Sequence, residues 1–227
     1  MRSALTDFES EITRINKVAD WLITPQALES KMMPATVAIR CGAVVLLSGY
    51  FETFLKNCMC RFITHVNSLG KPLSKLPGRM KITHFENGAR ALSKEIRKAR
   101  KINDTSLCED LAARLASVSA TTGYTLAWEA FADTEANPGP SIVGGLLGSV
   151  GVEEPWKKIK AAPPGKLGDL DLFLTSFIEM RNECAHSGTT TSPPTASDLI
   201  QYGENLDGLG TAIVVVLEAK LAELAVL

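Results

Sequence analysis

The chain has 227 residues, 45% of them apolar and 22% charged, with a formal net charge of −1. That length provides ample core for one large domain, and the composition is that of an ordinary globular protein rather than a disordered or fibrous one. A near-zero net charge excludes a whole-molecule attraction to nucleic acid or anionic membrane, so any such binding has to be local.

Helical periodicity dominates from end to end. The spacing predicts helices over about 3–22, 34–66, 86–101, 105–118, 122–132, 140–150, 167–187 and 196–225. The first carries Asp7, Glu9 and Glu11 and no basic region leading into an apolar run, so no signal peptide is expected. The second contains the apolar run Val37–Leu47, broken by Arg40, and no stretch of the length and apolarity a membrane span needs is expected. The one strand-like run, Ile213–Leu217, lies inside the last helical pattern. The eleven prolines fall between these elements or in their first turns, where proline is tolerated. Thr195 and Ser197 are candidate N-caps for the last helix, and Gly188 is a candidate C-cap for the one before it. There is no internal repeat, and residues 160–168 form only a short linker. The reading is a single all-α domain, a helical bundle in which residues 1–30 are an N-terminal extension and residues 34–227 the core.

Five cysteines (Cys41, Cys58, Cys60, Cys108 and Cys184) are odd in number and form no C-x-x-C pair. They suggest free thiols in a reducing, cytoplasmic setting, with neither a disulfide framework nor a zinc site. His and carboxylate residues do not cluster at ligand spacing either, so no metal and no cofactor is expected. The glycines at 144, 145, 148 and 151 do not follow a strand and make no nucleotide-binding fingerprint.

Charge is uneven. Residues 71–101 hold ten Lys/Arg against two acids, a local balance of +8 that leaves −9 for the remainder. Arg90, Lys94, Arg97, Lys98 and Lys101 share one helical face. Such a face is most often a solvated surface. The sharper reading is a track for RNA phosphates. His84 lies in this segment, within reach of RNA, and His65 is expected to be structural.

The most informative segment is Arg181-Asn182-Glu183-Cys184-Ala185-His186. On a helix, Asn182 and His186 fall roughly 40° apart on one edge, with Ala185 between that edge and Arg181. Leu167, Leu170, Phe173, Leu174, Phe177, Ile178 and Cys184 form an apolar stripe centred near Arg181. A guanidinium cannot shed its charge and is costly to bury alone, so it needs an acid or a site. Glu52 is the best partner: Val45, Ser48, Leu55 and Met59 share its helical face, so it should be largely buried too.

Arg-x-x-x-x-His closing a long amphipathic helix, with a polar residue directly after the arginine, resembles the signature of the HEPN superfamily. Leu47-Ser-Gly-Tyr-Phe-Glu52 resembles the acidic helix of its RiboL-PSP-HEPN branch, and Asn137-Pro-Gly-Pro-Ser-Ile142 through Leu147 and Trp156 looks like that branch's connecting region. The resemblance spans about residue 37 to the end, and residues before about 30 add nothing to it. It implies a helical bundle that dimerises with its two Arg/His motifs at the interface. It also implies a metal-independent endoribonuclease, acting as a toxin or antiphage effector under an antitoxin or regulatory partner. Some members of the superfamily lack nuclease activity and serve as binding domains.

The residue types suit that chemistry. RNA is cut without metal when its 2′-hydroxyl attacks the neighbouring phosphate, leaving a 2′,3′-cyclic phosphate. Histidine then moves protons near neutral pH and arginine clamps phosphoryl oxygens. The expected roles are phosphate clamp for Arg181, proton transfer for His186, orientation of His186 or the phosphate for Asn182, and holding of Arg181 for Glu52. Ser48 and Cys184 lack a paired base, which argues against a nucleophile. The alternative is a non-catalytic interaction domain in which the Arg/Asn/His trio is a buried clasp fixing dimer register. An exposed His186 separates the first reading from the second.

Overall fold

The computed structural model describes residues 1–118, 123–134, 137–163, 169–187, 190 and 192–227. Among these, eight α-helices and no strands are found: α1 (Arg2–Leu22), α2 (Met33–Ser68), α3 (Gly78–Ile102), α4 (Ser106–Ser117), α5 (Pro140–Ser149), α6 (Pro155–Ala161), α7 (Leu170–Ser187) and α8 (Ala196–Val226). Short 3₁₀ turns at Ser30–Met32, Leu73–Lys75 and Trp128–Ala130 join them. The chain is all-α, as its periodicity predicts.

Helix α2 is the axis of the bundle. Its 36 residues bury Phe51, Phe54 and Phe62, and α1, α7 and α8 all pack on it. By length and composition alone α2 would suffice to cross a membrane, which the interruption at Arg40 had not suggested. Its apolarity serves three helix contacts at once.

Helix α1 is no appendage. Ala4, Phe8, Ile12, Ile15, Ala19 and Leu22, at helical spacing, are buried, and α1 packs against both α2 and α8. Phe8 stacks on Phe54 with ring centroids 5.0 Å apart. The approach to α8 is close enough that a Cβ at Gly203 would lie 2.9 Å from Ile12 Cγ2. One hydrophobic cluster therefore runs from Met1 to Leu224, and the extension expected at residues 1–30 is part of it.

Helix α8 starts at Thr195, whose side chain accepts from Asp198 N at 3.1 Å while the Asp198 carboxylate accepts from Thr195 N at 2.7 Å. This reciprocal capping box satisfies two orphan amides and fixes Thr195, not Ser197, as the cap. The C-cap expected at Gly188 and the helix start expected at Leu167 lie outside the described residues.

Three elements differ from expectation. Helix α3 begins at Gly78 rather than 86, entered through Pro77. Helix α6 was missed because its seven residues, opened by Pro155, are too few for a periodic signal. The helix expected over 122–132 is a 3₁₀ turn in an otherwise irregular segment, within the described part from 123. Its amides are met by side chains instead: Thr125 N donates to Ser117 Oγ, Leu126 N to Asn67 Oδ1 and Ala127 N to His84 Nδ1. Side-chain acceptors that satisfy consecutive amides remove the need for a helical ladder.

His84 is thus internal, 0% exposed, and not a surface contact for RNA. Burial pushes its imidazole below the ordinary value, against a raising backbone hydrogen bond at Leu115.

Two outcomes follow from this packing. Phe8→Ala should cost about 3–5 kcal/mol in a denaturant titration; a cost near zero would mean that α1 is dispensable. Because folded His84 binds protons less readily than unfolded His84, stability is full above the unfolded value of about 6.5 and falls as pH drops below it. His84→Gln should flatten the decline in melting temperature between roughly pH 7.5 and 5.5 that the parent protein shows.

Candidate active site

The motif occupies the last turns of α7, and the packing of α7 on α2 decides what each residue meets. Leu170, Leu174, Phe177, Ile178 and Cys184 are buried, and Phe177 sets its edge against Tyr202 of α8 at 5.4 Å. This fixes the rotation of α7. Arg181 and Asn182 come out half-buried, and Ala185 and His186 come out exposed.

Arg181 Nη1 donates to Asn182 Oδ1 at 3.1 Å, while its Nε is buried with no hydrogen-bond partner. Glu52 is not its direct partner, as the sequence had suggested. The Glu52 carboxylate accepts from Lys56 Nζ at 2.6 Å and from Thr134 Oγ1 at 2.7 Å. Glu52 is also less buried than expected, with 19% of its side chain exposed. Burial pushes its carboxyl up, but the hydrogen bonds from Lys56 and Thr134, with the charges of Lys56 and Arg181, outweigh it and hold the group below the ordinary carboxylate range. Arg181 therefore acts on Glu52 as a nearby charge, because two shorter-reach donors already occupy the carboxylate.

Sequence reasoning missed both of those donors. Lys56 sits four residues after Glu52, an i,i+4 ion pair that spacing alone can reveal. Thr134 is 82 residues away in the chain and buried; no sequence signal marks it.

Cys184, inside the motif, is buried next to Cys41 of α2. Burial, then its hydrogen bond and proximity to Cys41, push its thiol up to about 12. It stays protonated at neutral pH and is a poor nucleophile. All five cysteines are free. Among the described residues, no group of three or more His, Cys, Asp or Glu converges at a spacing that would hold a metal ion.

The basic face of α3 is exposed but largely paired. Arg90 meets Glu86 at 3.5 Å, Lys94 meets Asp133 at 2.8 Å and Lys98 meets Glu95 at 2.6 Å. Arg97 and Lys101 are exposed and enter none of these pairs. Asp133 adjoins Thr134, so one short segment touches both the basic face and Glu52.

The cluster makes a checkable statement about Glu52. Thr134→Val removes a hydrogen bond to an ionised group and should cost about 1.5–3 kcal/mol at pH 7. A carboxyl held low in the folded state contributes stability above its unfolded value that is lost as pH falls through the folded one. The penalty should accordingly shrink in the acid range; a penalty that stays constant down to pH 3 would show that the bond does not depend on the charge.

Comparison with curated proteins and with solved structures returns no match. The family model for RiboL-PSP-HEPN matches residues 6–219. The match takes in nearly all of α1, so the similarity begins well before residue 37, in keeping with the burial of α1 against α2 and α8. An all-α bundle with Arg181, Asn182 and His186 at the end of its penultimate long helix, matched over this span, means that the chain belongs to the RiboL-PSP-HEPN family.

Proposed function

We propose that the protein is a metal-independent endoribonuclease, a toxin or antiphage effector, that cuts RNA by attack of the 2′-hydroxyl on the adjacent phosphate. The observation that carries this reading is the exposure of His186, five residues along the same helix from a half-buried Arg181 whose Nε has no partner among the described residues. A clasp that fixed dimer register would seal the imidazole in packing. An exposed imidazole is open to substrate, and a cation with donors to spare is suited to a phosphoryl oxygen.

In this mechanism Arg181 binds the non-bridging oxygens and stabilises the charge that builds on the phosphorane. His186 moves the proton. Asn182, whose carbonyl oxygen is taken by Arg181, turns the guanidinium and leaves its amide NH₂ for the phosphate. Glu52 contributes at longer range, offsetting the charge of Arg181.

One protomer offers one His and one Arg. Concerted removal of a proton from the 2′-oxygen and delivery of one to the 5′-oxygen calls for two proton-transfer groups, which a two-fold dimer supplies. Exposed Ala185 leaves room for a second copy at the motif. On α2, which packs against α7, Ile39 and Leu46 are exposed and share a face with Gly42 and Gly49, where a Cβ would meet nothing within 4 Å. The unpaired Arg97 and Lys101 would draw the RNA backbone by charge. The free thiols fit a reducing cytoplasm, and a toxin there requires an inhibitory or regulatory partner protein.

The test is cleavage of total RNA by purified protein, with and without EDTA. Wild type should cut equally in both, leaving 2′,3′-cyclic phosphate ends. His186→Ala and Arg181→Ala should each lose at least about 10²-fold in rate while keeping the parent helicity. Wild-type RNA left intact under all conditions would remove the proposal, and a monomer in light scattering would remove its two-histidine form.

A further inference from the structure

A cavity of about 200 Å³ opens between α3 and α5, bordered by Arg79, Thr83, Asn87 and Arg90 on one side and by Ser141 and Gly145 on the other. The four α3 residues recur at intervals of four, four and three, so they form one stripe along the helix. Their hydrogen-bonding groups are almost unused. Thr83 is buried, Asn87 is half-buried, and neither side chain hydrogen-bonds another described residue. Among the described residues Arg79 has no hydrogen bond or ion pair, and Arg90 pairs with Glu86 alone, at 3.5 Å, with both side chains well exposed. The first turn of α5 also borders the cavity; its leading Pro140 has no N–H, and no side chain caps the amides of Ser141 and Ile142 that follow.

Folding pairs polar groups where it can. A row of donors left without acceptors, two of them guanidinium groups, is arranged for an anion from outside. Among the described residues at the rim the one acid, Asp133, is ion-paired with Lys94 at 2.8 Å, so its charge is offset. The volume equals that of about seven waters, below the ~300 Å³ at which sites for drug-sized ligands begin. It suits a phosphate with its sugar.

We infer that this cavity between α3 and α5 binds the phosphate of a ribose phosphate, from either the backbone of an RNA or a free nucleotide. Only the RNA source leans on the ribonuclease reading. Asp133 lies one residue from Thr134, which bonds Glu52, so an occupant would sit at the edge of the segment that supports the candidate active site.

The experiment is calorimetric titration of inorganic phosphate into the full-length His186→Ala protein. Saturable binding is expected, weakened by about tenfold or more in Arg79→Ala, which removes charge-assisted hydrogen bonds. Gly145→Leu should block it as well: a Cβ at Gly145 meets nothing within 4 Å, and leucine favours a helix over glycine, so the fold should persist, as a thermal melt will show. Competition then separates the sources. Displacement by AMP assigns a free nucleotide, and displacement by a short single-stranded oligoribonucleotide but not by AMP assigns RNA. Absence of saturable phosphate binding, binding that survives both substitutions, or displacement by neither competitor would overturn the inference. Since the titrated protein lacks His186, phosphate binding without nuclease activity in the wild type, or nuclease activity without phosphate binding, tells the failure of one reading from the failure of the other.

Discussion

An arginine that cannot lose its charge sits in the apolar stripe by which α7 packs on α2. The guanidinium donates one hydrogen bond within its own helix, to Asn182 Oδ1, and feels Glu52 at longer range. One nitrogen stays buried and unpaired. An unpaired buried donor is destabilising, and a chain selected for stability alone would replace it with an apolar residue of similar size. Its retention on the helix that also carries an exposed imidazole supports the proposed site, in which binding would complete what folding leaves open.

Glu52 shows how burial and pairing compete. Desolvation favours its neutral form, yet Lys56 and Thr134 keep it ionised. Thr134 does this from an irregular stretch whose neighbouring residues bond side chains of α2, α3 and α4 rather than forming a helix of their own. The segment joins the axial helix to the basic one: Asp133 holds Lys94 of α3, and Thr134 holds Glu52 of α2.

The basic face also shows why counting charges in a sequence overstates attraction. Residues 71–101 carry a local excess of +8, but Glu86, Glu95 and Asp133 engage three of the five stripe cations. Among the described residues the other two stripe cations, Arg97 and Lys101, enter no ion pair. Exposed pairs of this kind are worth little to stability and are readily exchanged for phosphate.

The sequence by itself determined the helical class, the long axial helix, a cap at Thr195 or Ser197, and the spacing that sets Asn182 and His186 on one edge of the helix carrying Arg181, because these depend on local periodicity and on groups within a few residues of one another. It did not determine the role of α1, the irregular course of residues 123–132 or the partners of Glu52. A buried helix and a mobile extension can share one amphipathic pattern, and only the α2 and α8 surfaces decide between them. Helix or irregular backbone at 123–132 turned on acceptors supplied by Asn67, His84 and Ser117. Of the two donors that hold Glu52, Lys56 lies one turn away and within reach of spacing, whereas Thr134, 82 residues away, is brought to it only by distance in space, in place of the arginine that the apolar stripe singles out.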